Sequence, residues 1–517
     1  MRSEPRSYHH SLPPASQQMD QSLDRFMLLL VAILLLGFAT RLYAIGAENL
    51  WLDEASSLLA VQHDLAGVVQ EGAADVHPPV YYLLLHFWLV FGTSETALRL
   101  LSAMVGTLAI PLLYIVSRRL LDVRTSLTAA LLLAMAPLHI WYSQEARSYA
   151  LMATVGLLSM YTWLNVLGGK ERHQGVRTRH WTTYVLINAL GLYTHYYFGF
   201  LLIFQNAAMI LLLVFAWQGR QLPMARRWQE RPESLLYRWV LSQAAILLLF
   251  VPWLPILVAQ IRRGEGAWII AAEGVPSWRA LLVLLVSFAF WDAPELLGPW
   301  ARRTGYVLFG LGIGLALWQA MRDRTLRSGV VLALGWLLFS PLLVWTISQV
   351  RPIFSIRYLL LFLPAFPLLV AAGIAGVRDW RLRNALLAGL VGLLTVAVVQ
   401  QARLPQRADW RGVADYIAAY AEPGDWVLFI PTFNVKPFEY YNRGRVAVNE
   451  DMEADIFDPA WLQWAATSHQ RVWLVWQPEH YFDRQGVVRD YLAAHGQLVD
   501  QQRFRGVGLV LLYRITK

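Results

Sequence analysis

The 517-residue chain has no cysteine, which excludes disulfides and thiolate metal sites and leaves redox chemistry silent about its compartment. It is also short of charge: Asp, Glu, Lys and Arg make up 15% of it, against about 25% in soluble proteins. With 57% hydrophobic residues and a mean hydropathy of +0.41, the composition points away from a soluble protein and towards a polytopic membrane protein. The net charge of +9 and pI near 9.7 do not signal a nucleic-acid partner. The basic residues fall in short clusters between apolar runs, as membrane orientation alone produces. What is abundant fits the same class, since 23 Trp and 22 Tyr suit the membrane boundary, where an apolar ring with a polar edge is at home.

Residues 1–22 are polar, with Pro13, Pro14 and several Ser and Gln, and read as a disordered cytoplasmic tail. Residues 23–403 read as a transmembrane domain. Apolar spans fall near 26–45, 97–117, 125–142, 149–167, 182–198, 199–217, 239–261, 304–321, 328–349, 357–377 and 384–402, eleven helices of roughly the 17–25 residues that cross the hydrocarbon. The first lacks a small-x-small cleavage site and opens a series of similar spans, so it reads as a helix rather than a signal peptide. Two shorter runs, 80–91 and 281–290, are expected to lie at the bilayer surface. With a cytoplasmic N-terminus, inward segments carry twenty-one Lys and Arg against ten outward, which fixes one orientation in the cell (inner) membrane. Residues 404–517 then form a small extracytoplasmic α/β domain, with helices at 409–421 and 487–495 and strands at 426–430, 471–476 and 507–514. The expected fold class is a polytopic α-helical membrane protein with a C-terminal soluble α/β domain.

In this orientation three outward stretches gather the unusual charges. The first, within a loop at about 46–96, holds Asp53, Glu54, Asp75 and His77-Pro78-Pro79. The second is Tyr142-Ser143-Gln144-Glu145-Ala146-Arg147-Ser148-Tyr149. The third holds Arg351 and Ser355-Ile356-Arg357-Tyr358. Charges beside hydrocarbon are costly and usually functional. Carboxylates take a proton from a hydroxyl or hold a divalent cation, and arginines bind phosphate bidentately. Both types at a lipid boundary suit an acceptor hydroxyl meeting a sugar on polyprenyl phosphate, whose tail lies in the bilayer and whose phosphate lies among the headgroups.

The run Trp51-x-Asp53-Glu54-Ala55, Asp75-x-His77-Pro78-Pro79-x-Tyr81-Tyr82, Ala97-Leu98-Arg99-Leu100 and Tyr142-Ser143-Gln144-Glu145-Ala146-Arg147 resembles bacterial members of the protein O-mannosyltransferase-like family. These are GT-C-type glycosyltransferases, with the lipid A aminoarabinose transferases as more distant relatives. The resemblance covers residues 26–160, and more weakly Arg357-Tyr358 and Asp409-Trp410-Arg411. It implies a membrane enzyme that moves one sugar from a polyprenyl-phosphate donor to an extracytoplasmic lipid, glycan or protein acceptor, with inversion. By that resemblance Asp53 is the general base, and Glu54 orients Asp53 or the acceptor. Arg99 is structural or phosphate-directed, and His77 positions the loop or touches the donor phosphate. The departing phosphate would be neutralised by Arg357, with Tyr358 beside it, by Arg351 or Arg147, or by a divalent metal ion on Asp53, Asp75 and Glu145. Eukaryotic members carry a lumenal β-trefoil where this chain has an α/β tail, so the resemblance does not assign the acceptor.

Plainer roles compete. Asp53 and Glu54 would serve a helix dipole, His77-Pro78-Pro79 a helix start, Glu145 and Arg147 a structural ion pair, and Arg357 a snorkelling anchor. His139, His195 and Tyr193–Tyr197 read as interface residues. At the level of function, a flippase for lipid-linked sugars and an inactive assembly subunit are the alternatives. A flippase would place ionisable groups mid-bilayer on Gly- or Pro-broken helices in matching halves. Here the charges gather at one face and no internal repeat is visible.

Overall fold

The computed structural model describes residues 15–74, 76–168, 178–218, 232–263, 274–291, 298–446, 448, 468–477 and 486–516. Asp75 and several basic residues used for orientation, among them Lys170, Arg172, Arg177 and Arg220, lie outside the described residues, as do the first fourteen residues of the tail. The chain begins α1 (Ala15–Leu42), which takes in the end of the segment expected to be unstructured. An excursion of three short helices follows, α2 (Leu52–Val61), α3 (Leu65–Ala74) and α4 (Val80–Trp88). The bundle continues through α5 (Glu95–Leu120), α6 (Val123–Ala134), α7 (Pro137–Ser143), α8 (Tyr149–Val166), α9 (Thr178–Thr194) and α10 (Phe198–Trp217). Then come α11 (Pro232–Phe250), α12 (Leu254–Arg263), α13 (Arg279–Phe290), α14 (Pro299–Arg322) and α15 (Arg324–Ser348). A 3-10 turn, Tyr358–Phe362, leads into α16 (Ala365–Ala375), and α17 (Trp380–Arg403) closes the bundle.

Among the described residues eight helices are long and apolar enough to cross a membrane, or nine if α6 and α7 form one bent span. The eleven expected segments are all helical, but α8 and α9 do not meet that test. The described part of α9 is 17 residues long, one short of a full span, while in α8 fifteen residues are buried, and a buried helix need not be uniformly apolar because it faces protein rather than lipid. Ser159 of α8, Asn188 of α9 and Gln205 of α10 join in one hydrogen-bonded group, with Ser159 Oγ donating to Asn188 Oδ1 at 2.7 Å and Gln205 Nε2 to Ser159 Oγ at 2.8 Å. Such groups hold helices together where lipid gives no hydrophobic drive.

The helix pair α6 and α7 bends by 57°, because Pro137 at the start of α7 has no N–H to continue the ladder. The carbonyls freed at the break are taken by Arg41, whose Nη1 donates to Ala134 O at 3.1 Å and Nη2 to Leu133 O at 3.3 Å. Arg41 is therefore wholly buried rather than an outward loop residue. Its Nη2 also lies 2.9 Å from His139 Nδ1, and His139 is buried too.

Burial picks out the bundle's axis. The segment Tyr358–Ala375 has 94% of its apolar window buried, against 17% for Asp24–Leu42 and 17% for Trp380–Arg403. Small residues permit this depth, since a Cβ on Gly373 would collide with the carbonyl oxygen of Gly312 in α14. Arg357 and Tyr358 thus stand at the entry to the most enclosed of the eight spans among the described residues.

The C-terminal domain opens with α18 (Trp410–Tyr420), then β1 (Trp426–Ile430), α19 (Val435–Asn442), β2 (Arg471–Trp476), α20 (Val487–His495), β3 (Gly496–Phe504) and β4 (Gly508–Ile515). The sheet order is β1-β2-β4-β3, with β1 parallel to β2 and the other pairs antiparallel. Both faces of β1 and β2 are covered, which explains their unbroken hydrophobic runs. Val427, Phe429, Trp473 and Val475 face α18 and α19, while Leu428, Ile430, Val472 and Leu474 face α20. The expected strands are present, and β3, whose residues are almost all exposed, was not foreseen because nothing in Gln497–Arg503 alternates apolar with polar.

Candidate active site

Helix α2 carries the central carboxylates in its first turn, where an acidic side chain also complements the helix dipole. The excursion that holds it has its own small core of Leu50, Leu58, Val61, Val68, Tyr81, Tyr82 and Leu85, closed by Leu98 of α5 and Ala146.

Adjacent on this turn, Asp53 and Glu54 point into different surroundings. Glu54 is wholly buried and accepts four hydrogen bonds. Arg99 Nε donates to Oε1 at 2.8 Å, Arg99 Nη2 to Oε2 at 2.7 Å, the Ala146 N–H to Oε1 at 2.9 Å, and Arg407 Nη1 to Oε2. Burial pushes its carboxyl up, but Arg407 and Arg99 outweigh that and hold it below the usual carboxylate range. Arg99 spends its other donors on the carbonyls of Ile45 (2.9 Å), Glu48 (2.8 Å) and Asn49 (2.8 Å). Together Glu54 and Arg99 lock the α1–α2 turn onto α5, the structural part expected of Arg99.

Asp53, by contrast, is 23% exposed and makes one ion pair among the described residues, Arg357 Nη1 donating to Oδ2 at 3.0 Å. Its Oδ1 has no hydrogen bond among the described residues. Arg357, 17% exposed, is thereby an ion-pair partner and not a snorkelling anchor. Behind this pair stand aromatic rings. Tyr358 lies 4.8 Å from His195, 4.8 Å from Tyr197, 6.0 Å from Tyr149 and 6.4 Å from His77, centroid to centroid. His195 is itself buried among these rings.

Arg147 forms the floor. Its Nη1 donates to Tyr82 Oη at 3.0 Å and Ser57 Oγ at 3.2 Å, and its Nη2 lies 3.4 Å from both ring nitrogens of His77. It forms no ion pair with Glu145 among the described residues, so that expected pairing is corrected. Glu145 is buried and its Oε1 lacks a hydrogen-bond partner among the described residues. Burial, with Glu54 and Asp53 close by, pushes its carboxyl up to about 8 despite Arg407 and Arg357, which leaves it protonated at neutral pH.

The structure therefore brings together Asp53, His77, Arg147, Arg357 and Tyr358 and places Glu145 beside them. Arg351 is exposed and joined to none of them by hydrogen bond or ion pair among the described residues. No group of three His, Asp or Glu among the described residues could hold a metal ion, and the expected set of Asp53, Asp75 and Glu145 includes Asp75, outside that description.

Sequence reasoning missed Arg407, and it undervalued His195 and Tyr197 as interface residues. Arg407 sits in the stem joining α17 to the C-terminal domain, with no periodicity to mark it. The domain itself grips the excursion: Leu50 N–H donates to Tyr441 Oη at 2.7 Å, Asn49 Nδ2 to Asp409 Oδ1 at 3.1 Å, and Arg411 Nη2 to Glu95 Oε1 at 2.6 Å. Asp409-Trp410-Arg411 is accordingly a clamp between domains.

The bundle, the excursion after the first helix and the appended sheet domain define a polytopic membrane protein of the GT-C glycosyltransferase fold. Residues 76–256 match the family model described as dolichyl-phosphate-mannose-protein mannosyltransferase. ArnT from Cupriavidus metallidurans in the apo state is similar over 95% of this chain and 98% of its own, with a TM-score of 0.59 and 15% identity. The same protein bound to undecaprenyl phosphate gives a TM-score of 0.58. The archaeal oligosaccharyltransferase AglB from Archaeoglobus fulgidus is similar over 95% of this chain and 74% of its own, with a TM-score of 0.53 and 12% identity. No curated protein matches the chain.

Proposed function

We propose that the protein is a membrane glycosyltransferase that moves one sugar from a polyprenyl-phosphate donor to a hydroxyl-bearing acceptor outside the cytoplasm, inverting the anomeric carbon. The observation that carries this reading is the Asp53–Arg357 pair: a carboxylate with a spare oxygen beside a guanidinium, part-exposed at the end of the bundle's buried axis. Asp53 Oδ1 takes the acceptor's hydroxyl proton as that oxygen bonds to C1, and the bond from C1 to the phosphate oxygen breaks with its electron pair on the departing polyprenyl phosphate. Arg357 stabilises that negative charge, and Arg147, held by Ser57 and Tyr82, fixes His77 at the floor. A lipid donor is supported by the similar fold of ArnT, crystallised with undecaprenyl phosphate, and an acceptor outside the cytoplasm in the inner membrane by the arginine distribution. A divalent ion, if bound, would be held by Asp53, Asp75 and Glu145 and would help neutralise the departing phosphate; no step is routed through it.

The flippase alternative is disfavoured because the ionisable cluster gathers at helix ends rather than along the spans. The test is release of polyprenyl phosphate from a labelled polyprenyl-phosphate sugar in proteoliposomes. Wild type releases it, and Asp53→Asn falls by about 10²–10⁴-fold. Movement of intact donor across the bilayer without release would make the protein a flippase.

A further inference from the structure

Behind Glu54 lies a cavity of about 540 Å³ between the turn after α1, the end of α17 and the start of the C-terminal domain. Arg99 and Arg407, both bonded to Glu54, line it; Asp53 and Arg357 do not. The reaction proposed above leaves it unused.

Its acids are already engaged. Glu48 accepts the N–H groups of Gln406 (2.8 Å) and Arg407 (3.2 Å), Asp409 those of Asn49 (Nδ2, 3.1 Å) and Gly412 (3.1 Å), and Asp415 the Arg445 guanidinium at 2.8 Å. Two of its arginines have no such acid. Arg505 donates Nε and Nη2 to one neutral acceptor, the Arg407 carbonyl, at 3.3 and 3.1 Å. Arg403 has no side-chain hydrogen bond or ion pair among the described residues. Each guanidinium offers five donors in a fork that fits phosphate oxygens, and both side chains are exposed at the cavity's rim, so their donors and positive charge face solvent rather than a protein acid.

Position narrows the source of the anion. Arg403 is the last residue of α17, a helix apolar enough to span the bilayer, so the cavity stands where hydrocarbon gives way to headgroups. Trp141, Ala402 and Pro405 add apolar wall. We infer that this cavity binds a phosphate anion carried by a lipid headgroup, at a site separate from Asp53 and independent of the sugar-transfer reading.

The test is thermal unfolding of the purified full-length protein in detergent, titrated with phosphatidic acid, phosphatidylcholine or inorganic phosphate, because a ligand of the folded state raises its unfolding temperature. Phosphatidic acid is expected to stabilise the wild type, and the Arg403→Gln, Arg505→Gln double variant to bind it about 100-fold more weakly, about tenfold for each charge-assisted hydrogen bond lost. Arg381→Gln, at the opposite end of the same helix, should respond as wild type. An equal response to phosphatidylcholine, or an unchanged response in the double variant, overturns the site. Equal stabilisation by inorganic phosphate overturns the lipid as its source.

Discussion

The two sides of α2 show how one helical turn divides labour. On one side Glu54 is fully buried and accepts hydrogen bonds from two guanidiniums and a backbone N–H; on the other Asp53 is 23% exposed, holds a single arginine and keeps an oxygen free of hydrogen bonds among the described residues. In a chain with so little charge, a carboxylate with every lone pair committed holds structure together. One with an open oxygen has room for a proton.

The sharpest way to break that contrast is to neutralise each acid in turn. Asp53→Asn should remove the base and lower transfer by about 10²–10⁴-fold while the unfolding temperature stays near wild type. Glu54→Gln should instead cost about 3–5 kcal/mol of stability, because Arg99 and Arg407 are left buried without their shared anion; thermal unfolding in detergent reads this. A Glu54→Gln protein that is stable yet inactive would move Glu54 into the chemistry. Next in size, Arg357→Gln should reduce turnover by about 10²–10³-fold, the worth of one donor to a developing anion, with single-turnover donor consumption as the measurement.

A smaller effect concerns Glu145. Its folded pKa of about 8 lies above the ordinary carboxyl value, so between those two values the folded state holds a proton that the unfolded state has lost. Stability contributed by the neutral carboxyl therefore declines as pH rises through this window. Glu145→Gln should flatten that decline and raise the unfolding temperature at pH 8 more than at pH 5. Least affected should be Arg351→Gln, within about 0.5 kcal/mol in stability and with unchanged transfer, since the side chain is exposed and engages none of the cluster.

Much of the architecture was readable because the bilayer imposes length and apolarity on each span. Of the site, Asp53, His77, Arg147 and Arg357 could be found because charge beside hydrocarbon is expensive and stands out. Arg407 could not, since its meaning lies in a contact with Glu54 across more than three hundred residues of chain. His195 was readable only as an aromatic helix end, because its burial depends on Tyr358 entering from a distant segment.

The sequence by itself determined that the chain lives in a membrane, where its helices fall, that a sheet domain follows them, and that acids and arginines collect on three loops. Tertiary structure alone decided which acid is spent and which is open. Neighbouring residues on a helix point in different directions, and their partners come from α5, the Tyr358 segment and the stem of the C-terminal domain. Sequence proximity makes Asp53 and Glu54 look like a pair; packing separates them.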